Sequence, residues 1–480
     1  MKNLETRTPL PIYNWRELRT SPDYERIFRR NEKLTEGFLG SARDIFAQVQ
    51  QRGDQAIVDL ELKYSKTLSA DQYHSGNLRL TDAEVNDAYR RVNEKELLPT
   101  IQEYNRGVRM VCEALMHKEK EEVTVERVPG FIAKYKMVPR ESVGVYCPAG
   151  QVPLPIVSGM LVTSASVAGV PRIAVFYPPT EHDAEIIVAG KEAGATEFYR
   201  IGGAQAMAAM TYGTNTVKPF DMIIGPGSAI TQAGKIIARE KGMATDSIGG
   251  PSEQLVVVEE GAPIESIIMA ARDILTECEH GETSAGIVIT NSSLIAEKIR
   301  NIILEMTDLE ERKDVINEAL TRTSAIIVTQ SVDEMISVAM EYRGEHVGLY
   351  MNNPVKYADK VASSSVSLNP HNVSSFMSTA RANYGGTLHA TLPTGPHGNR
   401  QPGPTSPRIF LREIEIMTIK PESATIGLEV CEELAEAEKL ASHRNAMRVT
   451  RLLTDQNKLK NDSTQLGALL KKYISEYVKV

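Results

Sequence analysis

The sequence predicts an α/β protein carrying two parallel-sheet α/β domains, with helical extensions at both ends. Its 480 residues exceed what one compact core ordinarily serves. Strand–loop–helix units repeat four times between positions 142 and 240, the mark of a parallel sheet covered on both faces. A second series of apolar strand segments separated by helical patterns begins at Leu255.

The elements follow in chain order. Residues 1–24 read as an N-terminal arm, and the chain reads as helical to about residue 140. Ser41 to Lys66 sets Ile45, Phe46, Val49, Ile57, Val58, Leu60 and Leu62 at helical spacing, and Gln102 to Glu122 continues the pattern. The rhythm changes at Ser142. Strands are expected at Ser142–Cys147, Arg172–Tyr177, Glu197–Ile201 and Asp221–Ile224, and helices at Ala184–Ala193, from Ala204 and from Ala229. In such sheets the ligand lies in the loops after the strands, here around Pro148–Gln151, Gly202–Gln205 and Gly225–Ser228. The second run places strands at Leu255–Val258, Gly286–Ile289, Ala325–Val328 and Val366–Leu368, with helices at Ile264–Cys278 and Ser292–Met306. A Pro/Gly-rich stretch, Leu392 to Pro407, reads as a linker or pocket-lining loop, and the tail from Ala424 reads as helix.

Composition narrows the function classes. With 54 Lys+Arg against 62 Asp+Glu the net charge is -8, which argues against a nucleic-acid or anionic-membrane partner. Hydrophobic residues at 42% and charged residues at 24% are ordinary globular values and exclude wholesale disorder. Cys112, Cys147, Cys278 and Cys431 lie far apart without a CxxC pair, so neither a disulfide scaffold nor a zinc ribbon is indicated. Met1 to Trp15 carries charges and prolines where an export signal needs an apolar core. Ser142 to Pro171 is uncharged, but prolines interrupt it and its unbroken part is shorter than the ~20 residues a spanning helix needs. A reduced, cytoplasmic, soluble protein is expected.

The chemistry-bearing residues are few. Gly225-Pro-Gly-Ser228 stands between a strand and a helix, as a phosphate-cradling turn does, but Ile230 occupies the third glycine position of GxGxxG, so that alone the motif fits a plain tight βα turn better than a nucleotide site. Among nine histidines, His280 follows Glu277 by three residues at a helix end, so the two share a face and could grip one cation. Glu345 and His346 put an acid and an imidazole side by side at a strand entrance, and Glu438 and His443 lie near each other on the last helix. Taken singly, each histidine also fits a surface or capping role, and Glu438 a solvated charged face.

Taken together the motifs form an ordered set. Val143-Gly-Val-Tyr-Cys-Pro-Ala-Gly150, Gly202-Gly-Ala-Gln-Ala206, Gly225-Pro-Gly227, Gly250-Pro-Ser-Glu253, Glu279-His-Gly281, Gly344-Glu-His346, His389-Ala-Thr-Leu-Pro-Thr394 and Ala437-Glu-Lys-Leu-Ala-Ser-His-Arg-Asn-Ala446 resemble histidinol dehydrogenase, in that family's order and spacing, from about Arg43 to Arg448. The resemblance implies a zinc-dependent, NAD-linked enzyme that oxidises a primary alcohol through the aldehyde to the carboxylate, as an intertwined homodimer with shared active sites. It implies an incomplete Rossmann-like cofactor fold over 142–251, a discontinuous first domain over 25–141 and 252–395, and a C-terminal helical segment, 396–480, packing on the partner subunit.

By matched position, Tyr146, Gln205 and Ser228 would contact NAD, Ser228 standing where the family has asparagine. Glu345 and His346 would be the acid–base pair. Ser252, Glu277, His280, His346, His389, Glu438 and His443 would surround the substrate, the last two reaching the site from the partner. The matched metal ligands are Glu277, His280, Asn383 and His443, where the family has glutamine, histidine, aspartate and histidine. One carboxylate is lost and one gained, so the summed charge against Zn²⁺ is kept while its place moves. L-histidinol is the leading substrate. The swap also admits a paralogue acting on 2,3-dihydroxypropane-1-sulfonate, a polyol or an amino alcohol, and a metal-poor non-catalytic homologue is the remaining alternative.

Overall fold

The computed structural model describes residues 8–29, 36–64, 73–117, 119, 122–149, 153–246, 248–361, 365–372, 375–385 and 405–477. The chain opens with strand β1 (Ile12–Asn14) and two short helices, followed by α1 (Leu39–Arg52), α2 (Asp54–Tyr64), α3 (Asp82–Glu94) and α4 (Leu98–Met116). The helix expected over Ser41–Lys66 is two helices, because Gly53 between them takes φ +57 and closes α1 with its N–H on Val49 O. Thr81 and Glu84 cap α3 reciprocally.

Helix does not continue to residue 140. Strands β2 (Val123–Val128) and β3 (Phe131–Pro139) pair antiparallel around Gly130, as the alternation of Val123 and Val125 with Thr124 and Glu126 favours.

The expected alternation then appears: β4 (Ser142–Tyr146), α5 (Pro155–Ala168), β5 (Arg172–Tyr177), α6 (Ala184–Ala193), β6 (Glu197–Arg200), α7 (Gly203–Tyr212), β7 (Met222–Ile224), α8 (Ala229–Glu240) and β8 (Ala244–Thr245). The strands form a five-stranded sheet ordered β6-β5-β4-β7-β8, every pair parallel. The order reverses at β4, which opens a crevice beyond the carboxyl ends of β4 and β7. Phe176, Tyr199, Met207 and Met210 fill one core of this sheet, and α1 and α2 add Ile45, Phe46, Ile57 and Leu60 to it. Those two helices therefore cover the sheet of residues 142–246 rather than joining the domain expected for 252–395.

The second sheet grows from β9 (Glu253–Val258), α9 (Ile264–Cys278), β10 (Ala285–Thr290), α10 (Ser293–Thr307), α11 (Lys313–Arg322), β11 (Ala325–Val328), α12 (Val332–Tyr342), β12 (His346–Met351), β13 (Ser365–Pro370) and α13 (Thr379–Tyr384). Its six parallel strands run β1-β11-β10-β9-β12-β13. The arm expected at the N-terminus is thus partly structural, since Ile12–Asn14 pairs with Ile326–Val328 as the outermost strand. Leu255, Ile287 and Leu349 pack one face, and Val256, Val288 and Ile274 the other, as near-continuous apolar strands require.

The C-terminal part is not wholly helical. Strand β14 (Leu411–Ile419) joins β3 and β2 in a three-stranded sheet, and then come α14 (Leu428–Ala437), α15 (Ala441–Thr454), α16 (Gln456–Asn461) and α17 (Gln465–Tyr477). Two compact units result, residues 1–116 with 139–411, and residues 117–138 with 412–480. In the second unit Leu428, Leu452 and Leu459 are buried, whereas Met417, Ile419, Val430, Leu434, Leu453 and Tyr473 are exposed. No helix among the described residues is long and apolar enough to cross a membrane.

Candidate active site

An acid–imidazole cluster forms at the amino edge of the six-stranded sheet. Ser252 precedes β9, Glu345 and His346 stand at the start of β12, and Glu277 and His280 close α9 just before β10. Glu345 and His346 thus stand at a strand entrance, as expected, on the edge of their sheet opposite in sense to the carboxyl-edge loops expected to hold a ligand between residues 148 and 228. Helix carbonyl ends collect here, and their partial negative charge favours a cation. Glu277 and His280, three residues apart on one face, meet at 3.0 Å from Oε2 to Nδ1. Ser252 Oγ lies 3.2 Å from the same nitrogen. His346 Nε2 faces Glu345 Oε1 at 3.6 Å and Glu277 Oε1 at 4.0 Å. Ligand atoms of Glu277, Glu345 and His346 all lie within 4.8 Å of one another, and all three residues are buried. The Glu253 N–H donates to Glu345 Oε2 at 3.2 Å, which orients that carboxylate from the first residue of β9.

The two imidazoles differ in charge preference. Burial pushes His346 below its ordinary pKa, and His280 adds to this against the attraction of Glu277, so His346 is held neutral and able to accept a proton. For His280, burial is outweighed by the charge and hydrogen bond of Glu277, which hold it above the ordinary value. Paired carboxylate and imidazole donors are the ligand chemistry of zinc and similar divalent cations.

The second group of expected residues gathers at the carboxyl edge of the five-stranded sheet. Tyr146 ends β4, Gln205 lies in the first turn of α7, and Ser228 is the residue before α8. The Tyr146 hydroxyl is buried between both helix starts, where it accepts the Gly203 N–H at 3.0 Å and bonds the Thr231 side chain; burial raises its pKa to about 12. Gln205 is also buried, whereas Ser228 is exposed and its Oγ lies 3.3 Å from Thr231 Oγ1. Gly225 takes φ +129, and a Cβ there would run into the Tyr146 carbonyl, so this turn admits no side chain. Asp246 holds the turn by accepting the Gly225 N–H at 2.8 Å, and the buried Lys235 neutralises it at 2.5 Å.

Asn383 sits on α13, whose start is fastened to α9. Asp273 Oδ1 accepts the Thr379 N–H at 3.0 Å, its Oδ2 accepts the Tyr350 hydroxyl at 2.8 Å, and Thr379 Oγ1 bonds Gln254 Oε1 at 2.6 Å. Burial raises the Asp273 pKa to about 7. Glu438 caps the end of α14 and His443 lies on α15; both are exposed and both belong to the second compact unit. His389 and most of the Pro/Gly-rich stretch, residues 392–404, lie outside the described residues.

Sequence reasoning missed two buried acids. Glu61 on α2 accepts the Gly202 N–H at 2.6 Å and the Gln205 Nε2–H at 2.8 Å, both through Oε1. Its signal was available, because it lies one turn after Ile57 on the buried face of α2. Asp273 likewise lies one turn before Glu277 on the buried face of α9, among Ala270, Ile274 and Leu275.

Three comparisons bear on this arrangement. A family profile described as histidinol dehydrogenase matches residues 28–451. Histidinol dehydrogenases of Methanopyrus kandleri and Methanocaldococcus jannaschii are 30% and 31% identical to this chain over 439 and 437 residues, each covering 89% of it and 97% and 96% of the relative. The solved histidinol dehydrogenase of Elizabethkingia anophelis is similar with a TM-score of 0.77 and 26% identity, over 93% of this chain and 99% of that one.

Proposed function

Because the chain belongs to the histidinol dehydrogenase family, we propose that it is a zinc-dependent, NAD-linked dehydrogenase that oxidises L-histidinol through the aldehyde to the carboxylate. The observation that carries the reading is the buried Glu277, Glu345 and His346 cluster, with a neutral imidazole between two carboxylates.

The donor set fits a zinc ion. Glu277 and His280 offer a carboxylate and an imidazole at one helix end, and Asn383 and a second copy's tail, through His443, complete the set in this reading. Zinc bound there supplies a Lewis acid for the alcohol oxygen, and NAD supplies the hydride acceptor. His346 takes the hydroxyl proton as hydride leaves the carbinol carbon, which its lowered pKa allows at neutral pH. Glu345, oriented by the Glu253 N–H, would then take a proton from the water that hydrates the aldehyde, and a second NAD would accept the hydride of the hydrate, so that two NAD are reduced for each carboxylate formed. Ser252 and Glu277 both engage the His280 ring at Nδ1, so Nε2 would be the nitrogen left to hold the metal.

A homodimer supplies the remaining residues. The uncovered apolar residues of the unit 117–138 and 412–480 support this, since the unit buries little of its own apolar surface. Glu438 and His443, exposed on that unit, are then contributed to a neighbouring chain's site.

One observation favours a second substrate. The acid of the metal set is Glu277, already paired to His280, while Asn383 offers only a neutral amide. A hydroxylated sulfonate such as 2,3-dihydroxypropane-1-sulfonate, which lacks an imidazole, completes a shell of that kind. A panel of alcohols with NAD and added zinc, followed by absorbance of the reduced cofactor, decides between them. Reduction with L-histidinol supports the first reading, reduction with the sulfonate alone supports the second, and none with any alcohol refutes both.

A further inference from the structure

We propose that Glu61 is a positioning residue for the cofactor: its buried carboxylate holds the Gln205 amide so that Gln205 presents an oxygen, not an N–H, to the dinucleotide. The proposal rests on the reading of Gln205 as a cofactor contact.

The geometry is specific. Glu61 comes from α2, far from the βα loops in sequence, yet its Oε1 receives both the Gly202 N–H and Gln205 Nε2. Gln205 Nε2 is thereby committed inward. Its Oε1 turns toward Gly203, whose φ of +53 and absent Cβ leave room for it; a Cβ there would approach that oxygen to 2.8 Å. The two backbone N–H groups that begin this turn are both taken, Gly202 by Glu61 and Gly203 by the Tyr146 hydroxyl. An edge with its amides occupied, a carboxylate behind it and an acceptor in front repels phosphate. It suits a ribose hydroxyl or a carboxamide N–H. Ser228, exposed just before α8, spends its Oγ on Thr231 Oγ1 and leaves the first backbone N–H groups of that helix without a side-chain cap, which in this proposal leaves them to the pyrophosphate.

Burial raises the Glu61 pKa to about 7 against both hydrogen bonds, so the fold keeps a group there whose charge is costly. An apolar residue would fill the same core without that cost, and would leave the Gln205 amide free to rotate.

The test uses the full-length, zinc-loaded protein and calorimetric titration with NAD. Glu61→Asp keeps a carboxylate but withdraws it by one methylene, and Glu61→Gln keeps an oxygen at the same reach. Expected is NAD affinity about tenfold weaker for Glu61→Asp, the scale of one lost hydrogen-bond partner, with KM for NAD raised alike and kcat within about twofold. Glu61→Gln restores affinity to within about threefold of the parent, because one acceptor oxygen serves both donors. NAD affinity of Glu61→Asp equal to the parent overturns the proposal, and so does a loss in Glu61→Gln as large as in Glu61→Asp. A purely structural role lowers the melting temperature and leaves the affinity of the folded protein unchanged. Gln205→Ala separates the two levels. If it weakens NAD binding while Glu61→Asp does not, only the positioning role fails; if it too binds NAD like the parent, the cofactor reading of Gln205 fails and the proposal goes with it.

Discussion

Glu277 and His280 are joined across the last turn of α9, Oε2 to Nδ1 at 3.0 Å, with the carboxylate buried and the imidazole 40% exposed. The pairing makes Glu277 the acid that both imidazoles of the site face. Glu277→Gln is expected to lower zinc affinity at least about tenfold, the scale of losing one charged ligand or its support, measured by competition with a chromogenic chelator. Unchanged zinc content would show that the carboxylate does not serve the metal.

Removing the proton acceptor is expected to stop chemistry without disturbing the fold. His346→Ala should reduce NADH formation by about 10²-fold or more, with circular dichroism and NAD affinity preserved. Turnover within tenfold of the parent would remove His346 from the base role.

Shared sites can be tested by mixing. His346→Ala and His443→Ala should each be inactive, but co-refolded in equal amounts they form hybrids with one intact site, giving about a quarter of parental activity if the active unit is a two-fold dimer. A mixture as inactive as its components would place His443 outside the neighbouring site.

The raised pKa of Glu61 predicts a pH effect on stability. Glu61 binds its proton more tightly in the folded chain than in the unfolded one, so its contribution favours folding below pH 4.5 and is lost as pH climbs through about 7. A shift of this size is worth on the order of 3 kcal/mol. Glu61→Gln lacks the titration, and its stability relative to the parent should therefore rise between pH 4.5 and pH 8 in urea unfolding. A constant difference across that range would mean that Glu61 is not buried as a titrating acid.

The sequence made the sheets readable because their strands are apolar on both faces: Leu255–Val258 and Arg172–Tyr177 admit little other reading, and the helices Ile264–Cys278 and Ala184–Ala193 lie where their spacing put them. Less regular parts were not legible. Val123–Val128 is half-polar and mostly exposed, so it is stabilised by pairing with Phe131–Pro139 rather than by burial, and its short alternation is a weak local signal beside the helical pattern that precedes it. Ile12–Asn14 is too short for any periodicity. At the site, the Glu277–His280 spacing was visible because both belong to one helix end. The contact of Glu61 with Gln205 and the tie of Asp273 to Thr379 span over a hundred residues each, and only the folded backbone brings them together.

Ile12–Asn14 guards the rim of the larger sheet. Clip those residues away, or drag them off with a bulky fusion at the front of the chain, and Ala325–Val328 is left as a bare rail of amides and carbonyls along an apolar slab. Molecules so trimmed would stitch to one another there, so purification handles belong at the opposite terminus.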